Sequence, residues 1–438
     1  MSSFRRMAHF AIICPPVSGH LDPLAAIGRA LLAHGHRVTV FHVRDLEPKV
    51  RAHGLEFIPL GNDDFPAGTL NATVAKLAAL KGSKSLKFAI QCASAIAYSI
   101  LHDGPAAFRN AEIDVAIVDQ NEPAGASVAE HLRIPFVSVC TSLPLNREPY
   151  IPPPFVAWSY TPSTFSRIRN AAGYTVSDRF IAPIQKALNS YREKWGLPVL
   201  KTPDDSFSRL AQLAQMPRAF DFPREHLPQS FHYLGPWFDD HSAHIPFPFE
   251  KLDSRPLIYG SIGTLQEEQS DMFRVMAEAC ATLDAQLVLS LGHPESQKSR
   301  ELPGNPLVVN YAPQLELLKR ASVTITHSGM NTTQQSLYFG VPMVAIPLAH
   351  DQPAIAARLV RTGAGIVIPP AALRVEKLRS ALKSLLPKDN AYRAQAARLQ
   401  QIAQASGGIP AAVRILEGIA ESSSPPVVES VPRPAERR

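Results

Sequence analysis

The sequence predicts an α/β protein built from two doubly wound parallel-sheet domains. Three observations carry that expectation. The chain has 438 residues, more than one ordinary hydrophobic core serves. Its strand-like runs are apolar throughout rather than alternating, as strands covered on both faces must be. The strand–helix–strand pattern that opens the chain also starts afresh after Arg255.

The first strand is HFAIIC, His9–Cys14, followed by the loop PPVSGHLDP. In the next stretch Leu24, Ile27 and Leu31 share a helical face, and Gly35 suits a helix C-terminus. RVTVFHV (Arg37–Val43), DVAIVD (Asp114–Asp119) and IPFVSVC (Ile134–Cys140) read as further strands, and Phe88–Ile100 lies within an apolar helix. The second series begins with PLIYGSIG, then a helix from Glu268 to Leu283 and the strand AQLVLSLG. SVTIT (Ser322–Thr326), a loop and helix, and PMVAIPL (Pro342–Leu348) continue it. The join, 241–253, is irregular and proline-rich and reads as a linker. Ile409–Glu421 reads as a helix. Residues 422–438 have the Pro, Ser and charge content of a disordered tail.

Composition narrows the function classes. Hydrophobic residues make up 45% and charged residues 19%, as in a globular protein, and the net charge of +6 is mild. No basic run interleaved with aromatics points to nucleic acid. Cys14, Cys92, Cys140 and Cys280 lie far apart in apolar runs, which fits buried thiols and neither a zinc site nor a disulfide framework. No apolar run reaches the length of a membrane span. The apolar start ends at Pro15-Pro16, too soon for a signal peptide, so a cytoplasmic location is expected.

Open α/β sheets bind ligands outside the carboxyl ends of their strands. Gly19 and His20 follow the first strand, and Asp119 ends DVAIVD. A histidine held by a carboxylate makes a general base, because the anion fixes its tautomer and raises its basicity. The same two residues would also serve as a helix cap and a turn cap. A denser signal lies in THSGMNTTQQSLYFGVP, Thr326–Pro342. There His327, Gly329, Asn331 and Thr332 sit between a strand end and a helix N-terminus, where backbone N–H groups and the helix dipole attract an anion such as a diphosphate. HDQP (His350–Pro353) offers Asp351 and Gln352 for sugar hydroxyls, and NYAPQ (Asn310–Gln314) offers an aromatic face for a base. The chain lacks a G-x-x-x-x-G-K-[ST] P-loop and a G-x-G-x-x-G fingerprint, so ATP and dinucleotide sites have no support. It also lacks an Asp-x-Asp pair, so no metal and no cofactor is expected; the donors at the helix terminus would neutralise the leaving diphosphate.

These residues resemble a known family. YAPQLELLKRASVTITHSGMNTTQQSLYFGVPMVAIPLAHDQ is similar to the donor-binding box of the family 1, GT-B-fold, nucleotide-sugar glycosyltransferases. The likeness extends over almost the whole chain before the tail, including the Gly-His-x-x-Pro loop and YGSIGT. It implies two Rossmann-like domains facing each other across a cleft: residues 1–240 for the acceptor and 254–405 for the donor. The helix at 406–421 would cross back to the first domain. The resemblance further implies that Tyr311 stacks on uracil and Gln314 binds its edge. His327, Asn331 and Thr332 would contact phosphates, with Gly263 and Thr264 nearby. Asp351 and Gln352 would hold the sugar, His20 would be the base, and Asp119 its partner.

Two positions depart from the family pattern. Tyr311 stands where Trp is frequent, and Gln335 stands where a Glu binds the ribose hydroxyls, which leaves a dTDP-sugar open beside a UDP-sugar. On the acceptor side, Leu143–Tyr160 and Phe220–Pro236 resemble the bacterial carotenoid glucosyltransferases of the zeaxanthin type. Tyr150, Phe155 and Trp158 would then line a slot for a lipophilic alcohol, or alternatively pack in the core. The expected function is an inverting transfer of a hexose, glucose first, from a UDP-sugar to such an alcohol, with contact at the inner face of the membrane left open. A polyketide, macrolide or flavonoid acceptor is the alternative. A UDP-sugar epimerase and a non-catalytic sugar-nucleotide-binding subunit are the rivals from other classes.

Overall fold

Strand residues alternate between two covered faces, and this sorts the first sheet's neighbours. A computed structural model of the chain describes residues 7–80, 82–240, 245–263, 270–292 and 302–422. Its first sheet joins β1 (His9–Ile13), β2 (Arg37–His42), β3 (Glu56–Pro59), β4 (Val115–Asp119), β5 (Phe136–Cys140), β6 (Gln212–Ala214) and β7 (Phe231–Tyr233). Phe10, Ile12, Val38 and Val40 face α1 (Ser18–Ala33) in one buried cluster. Ala11, Ile13 and Phe41 form another with Ile96, Ala97 and Ile100, opposite. That second layer contains α4 (Gly82–Asn110), α5 (Ala124–Leu132) and α6 (Thr164–Lys194), while α2 (Glu47–Ala52) and α3 (Thr69–Ala79) fill the connections between β2 and α4.

The second sheet joins β8 (Leu257–Ser261), β9 (Gln286–Ser290), β10 (Leu307–Val309), β11 (Ala321–Thr326), β12 (Met343–Ala345) and β13 (Gly365–Val367). One face meets α7 (Ser270–Cys280) and α11 (Val375–Leu385). The other meets α8 (Gln314–Leu318), α9 (Met330–Tyr338), α10 (Gln352–Thr362) and α12 (Ala391–Ala405). The fold is thus the expected pair of doubly wound domains. The part of the predicted 268–283 helix before Ser270 lies outside the described residues, as does most of the predicted tail, 423–438.

Both sheets are parallel throughout, in the orders β3-β2-β1-β4-β5-β6-β7 and β10-β9-β8-β11-β12-β13. The order reverses between β1 and β4, and again between β8 and β11. Those two switch points are where open sheets form ligand crevices. The domains also share a buried seam in which Cys140, Leu143, Met216 and Phe220 meet Met330, Leu337, Ile355 and Leu359. From the end of the second domain, α13 (Gly408–Ser422) packs Ala412, Val413 and Leu416 into the first domain's core beside α1. Glu417 of α13 is buried, and its carboxylate accepts from His34 Nδ1 at 2.9 Å. Among the described residues no helix is long and apolar enough to cross a membrane.

Candidate active site

The first switch point brings His20 and Asp119 together. His20 lies in the opening turn of α1, and Asp119 is the last residue of β4. His20 Nδ1 lies 2.9 Å from Asp119 Oδ2, with the imidazole 20% exposed and the carboxylate fully buried. Thr141, the second residue past β5's last valine, has its hydroxyl 2.7 Å from His20 Nδ1 and donates to the same Asp119 oxygen. The other Asp119 oxygen accepts from the Asn121 backbone at 2.8 Å.

Burial alone would lower the His20 pKa. The charge and hydrogen bond of Asp119 outweigh it, Asp351 adds to them, and the pKa is raised. Burial likewise opposes ionisation of Asp119, but His20, Thr141 and Asn121 bring its pKa below the usual value. The pair is therefore a carboxylate holding the Nδ1–H tautomer, with Nε2 carrying the lone pair. Glu122, buried one turn further on, is pushed up to about 8 by burial and then by the charge of Asp119, so Asp119 is the anion that His20 meets.

The second switch point faces this pair. His327 follows β11, and Gly263 follows β8, with φ +85°. A Cβ on Gly263 would come within 3.1 Å of the His327 ring, and one on Gly329 within 2.5 Å. Glycine at both places lets two backbone segments close around one imidazole. Burial lowers the His327 pKa from the ordinary histidine value, against Asp351 and the Ser261 backbone, which favours the neutral ring. Its Nδ1 is buried without a hydrogen-bond partner among the described residues. Ser328 beside it has φ +66°, a left-handed conformation uncommon outside glycine. α9 begins here with Gly329 as its N-cap, which leaves its first backbone N–H groups without helical partners.

Asn331 spans the cleft. Its amide donates to Gly19 O at 3.3 Å, beside His20, and its oxygen accepts from Gln215 Nε2 at 2.9 Å. Thr332 and Gln314 are joined at 3.4 Å, and Gln314 also accepts from the Tyr259 hydroxyl at 3.1 Å. The Gln314 amide donates to Gln335, so the departure from Glu sits against the residue expected at the base edge. Tyr311 leaves 43% of its surface exposed, a ring open to stacking. Asp351 stands at the N-cap position of α10, where its side chain makes no capping bond and instead accepts from Ser142 of the first domain. Gln352 Oε1 accepts from the Leu348 and Ala349 backbones at 2.7 and 2.9 Å, which leaves its NH2 for a ligand. Thr264 lies outside the described residues. No group of three His, Cys, Asp or Glu side chains that could hold a metal occurs among the described residues.

A buried histidine–aspartate pair and the N-terminus of α9 thus face one another across a two-domain cleft. The family model described as UDP-glucoronosyl and UDP-glucosyl transferase matches residues 67–407. The chain belongs to that family. The transferase is 33% identical to a zeaxanthin glucosyltransferase of Pantoea ananas, a match covering 96% of this chain and 97% of that one. It is 32% identical to a zeaxanthin glucosyltransferase of Pseudescherichia vulneris, over 95% of this chain and 100% of that one. Among solved structures, the glycotransferase of kitacinnamycin superposes with a TM-score of 0.74 at 24% identity, covering 94% of this chain and 99% of its own. The calicheamicin glycosyltransferase CalG4 gives 0.74 at 20%, over 96% and 100%. The fold is GT-B, and the transferase is a hexosyltransferase that takes a nucleotide-sugar donor and a small-molecule acceptor.

Of the residues expected to line an acceptor slot, Tyr150 is half-buried and Phe155 is 47% exposed. Trp158 lies against Gly173 of α6, and the Arg169 guanidinium covers its ring at 4.7 Å. Tyr160 stacks on Phe222 at 5.8 Å. Thr141, Ser142 and Gln215 bond to the candidate residues and Glu122 is buried beside Asp119, and none of the four is a sequence candidate. The strand-end rule that finds Asp119 also finds Thr141, next after Cys140. Gln215 has no such signal, because β6 is only three residues long.

Proposed function

We propose that the transferase moves glucose with inversion from UDP-glucose to a hydroxyl of a lipophilic alcohol, a hydroxylated carotenoid such as zeaxanthin being the first candidate. The observation that carries this reading is the 2.9 Å contact between His20 and Asp119, set across the cleft from His327 and the start of α9. His20 Nε2 takes the acceptor's hydroxyl proton as the oxygen forms its bond to the anomeric carbon. The bond from that carbon to the diphosphate breaks, and its electron pair leaves on UDP. Asp119 stabilises the imidazolium, and the N–H groups of α9 with His327 stabilise the departing charge. Tyr311 stacks on the base, Asp351 and Gln352 hold the sugar, and the apolar loop with Tyr150, Phe155 and Trp158 receives the acceptor. The two zeaxanthin glucosyltransferases matched over nearly their full length support the acceptor class. The test is UDP release from UDP-glucose with and without zeaxanthin in detergent. Release that depends on zeaxanthin and yields a glucoside supports the reading. UDP-glucose binding without zeaxanthin turnover, together with transfer to a polyketide or flavonoid, would replace the carotenoid.

Nucleotide choice rests on Gln335, whose side chain has one acceptor oxygen where a carboxylate has two. Gln335→Glu is expected to raise the preference for UDP-glucose over dTDP-glucose, because the added acceptor meets a ribose 2′-hydroxyl that dTDP lacks. Competition calorimetry with UDP and dTDP reads the ratio, and an unchanged ratio would place Gln335 away from the ribose.

A carotenoid acceptor must be collected from a bilayer. On α6, Phe165, Ile168, Val176 and Phe180 are 75%, 64%, 50% and 46% exposed, and no acidic residue lies between Glu148 and Asp178. Such an apolar face, with Arg167, Arg169 and Arg179 on the same helix and the one carboxylate before Phe180, Asp178, paired with Arg147, suits transient contact with an anionic membrane surface. The protein is expected to co-sediment with phosphatidylglycerol vesicles and to be released by salt. Retention in the supernatant at low salt would contradict this contact.

A further inference from the structure

Behind the cleft a buried ionic network crosses the domain boundary. Asp221, in the first domain, has a fully buried carboxylate. Arg358 of α10 donates to its Oδ1 at 2.8 Å. Arg224 donates to Oδ2 at 2.9 Å, and the Tyr233 hydroxyl reaches the same oxygen at 2.8 Å. Both guanidiniums are about as buried as the carboxylate, with side chains 1% exposed. Every charge in such a place must find partners, because an unpaired one would be expensive to desolvate.

The remaining donors show what the network holds. Arg224 extends Nη1 to Asn146 O at 2.5 Å and Nη2 to Pro144 O at 3.1 Å. It thereby fixes the segment that runs from Ser142 towards Tyr150, Phe155 and Trp158. Glu148 of that segment accepts from the Glu225 backbone at 2.8 Å. The Arg358 guanidinium lies 4.2 Å over the Phe222 ring, on which Tyr160 stacks. One carboxylate therefore ties α10 to both ends of the 142–160 loop.

The geometry of α10 gives this tie its significance. Arg358 comes about two helical turns after Asp351, so the two residues lie on one face of the helix. Both reach into the first domain from that face, Asp351 to Ser142 and Arg358 to Asp221. The loop is consequently tied to α10 at the residue expected to hold the sugar and again two turns further along. In contrast, Tyr311, Gln314, His327 and Asn331 belong to α8, α9 and the turns before them. None of them bonds to Asp221, Arg224 or Arg358.

We propose that Asp221, clamped between Arg358 and Arg224, is a positioning residue that sets the sugar-binding end of α10 and the acceptor loop in register with each other. This rests on the reading that Asp351 binds the transferred sugar. Among the described residues no bond joins the network to the residues expected to hold the nucleotide, so its loss separates sugar binding and acceptor binding from UDP binding. A role in general stability would not separate them.

The experiment compares Asp221→Asn, Arg358→Lys and Asp351→Ala with the wild type. Calorimetry measures the Kd of UDP and of UDP-glucose, and initial rates give the KM of the acceptor. Asp221→Asn and Arg358→Lys are expected to leave UDP binding unchanged, to weaken UDP-glucose about tenfold, the size of one sugar hydrogen bond to the Asp351 carboxylate lost as α10 shifts, and to raise the acceptor KM. Arg358→Lys retains the positive charge; should Asp221→Asn not fold, the Lys variant carries the test. If Asp351→Ala weakens UDP-glucose while Arg358→Lys changes neither ligand, the positioning role is overturned. It is also overturned if UDP and UDP-glucose weaken equally. If Asp351→Ala itself leaves UDP-glucose unaffected, the sugar-site reading fails instead, and the inference fails with it.

Discussion

His20→Ala is expected to lower kcat for sugar transfer by about 10²–10⁴-fold, the range a positioned general base supplies, and to leave the Kd of UDP unchanged. The magnitude follows from the chemistry. An alcohol is a weak nucleophile at neutral pH, and the proton it loses on attack needs an acceptor within hydrogen-bond reach. Among the described residues, His20 alone at the first switch point combines a partly exposed imidazole with a buried carboxylate partner. UDP binding is spared because its expected contacts lie on the second domain. Steady-state UDP release and calorimetry measure the two quantities. A kcat within threefold of the wild type would show that another group, or water, takes the proton.

Asp119→Asn is expected to produce a second effect of similar size, about 10²–10⁴-fold in kcat by analogy with removal of the orienting carboxylate from a catalytic triad, and also to move the pH profile. In the native site the His20 pKa is raised above 6.5, because the charge and hydrogen bond of Asp119 overcome burial. The base works only when unprotonated, so kcat/KM of the wild type falls as the pH drops through that raised value. Without the carboxylate, burial dominates and the pKa falls. The imidazole then stays neutral to lower pH, and the acidic limb of kcat/KM moves to lower pH while the plateau collapses. A pH–rate series on both proteins reads this shift. An acidic limb that stays where it was would mean the titrating group is not His20.

Much of this site is written locally in the chain. β1 and β4 are legible because they are short apolar runs. The rule that ligands gather at their carboxyl ends then reaches His20 and Asp119 without any tertiary information. The Thr326–Pro342 stretch is legible for the same reason, since its polar crowding falls between a strand and a helix. What escapes the sequence is whatever depends on distant contacts. α6 is a 31-residue helix with Pro183 inside it and much of its surface exposed, so no clean apolar stripe announces it. β6 and β7 have three residues each and exist through their pairing with β5 and with each other. The second role of Asn331, bridging Gly19 and Gln215, appears only when the domains meet. Asp221 reads as an ordinary loop residue until Arg358 arrives from a helix 137 positions later.

In the proposed function, sugar passes with inversion from UDP-glucose to a lipophilic alcohol at the His20–Asp119 pair. The most direct test is the anomeric configuration of the product. Incubation with UDP-α-glucose and zeaxanthin in detergent, followed by proton NMR of the isolated product, is predicted to show a β-glucoside, absent when His20→Ala replaces the wild type. An α-glucoside would contradict single displacement by a hydroxyl that this base deprotonates, and a β-glucoside formed equally well by His20→Ala would remove His20 from the mechanism.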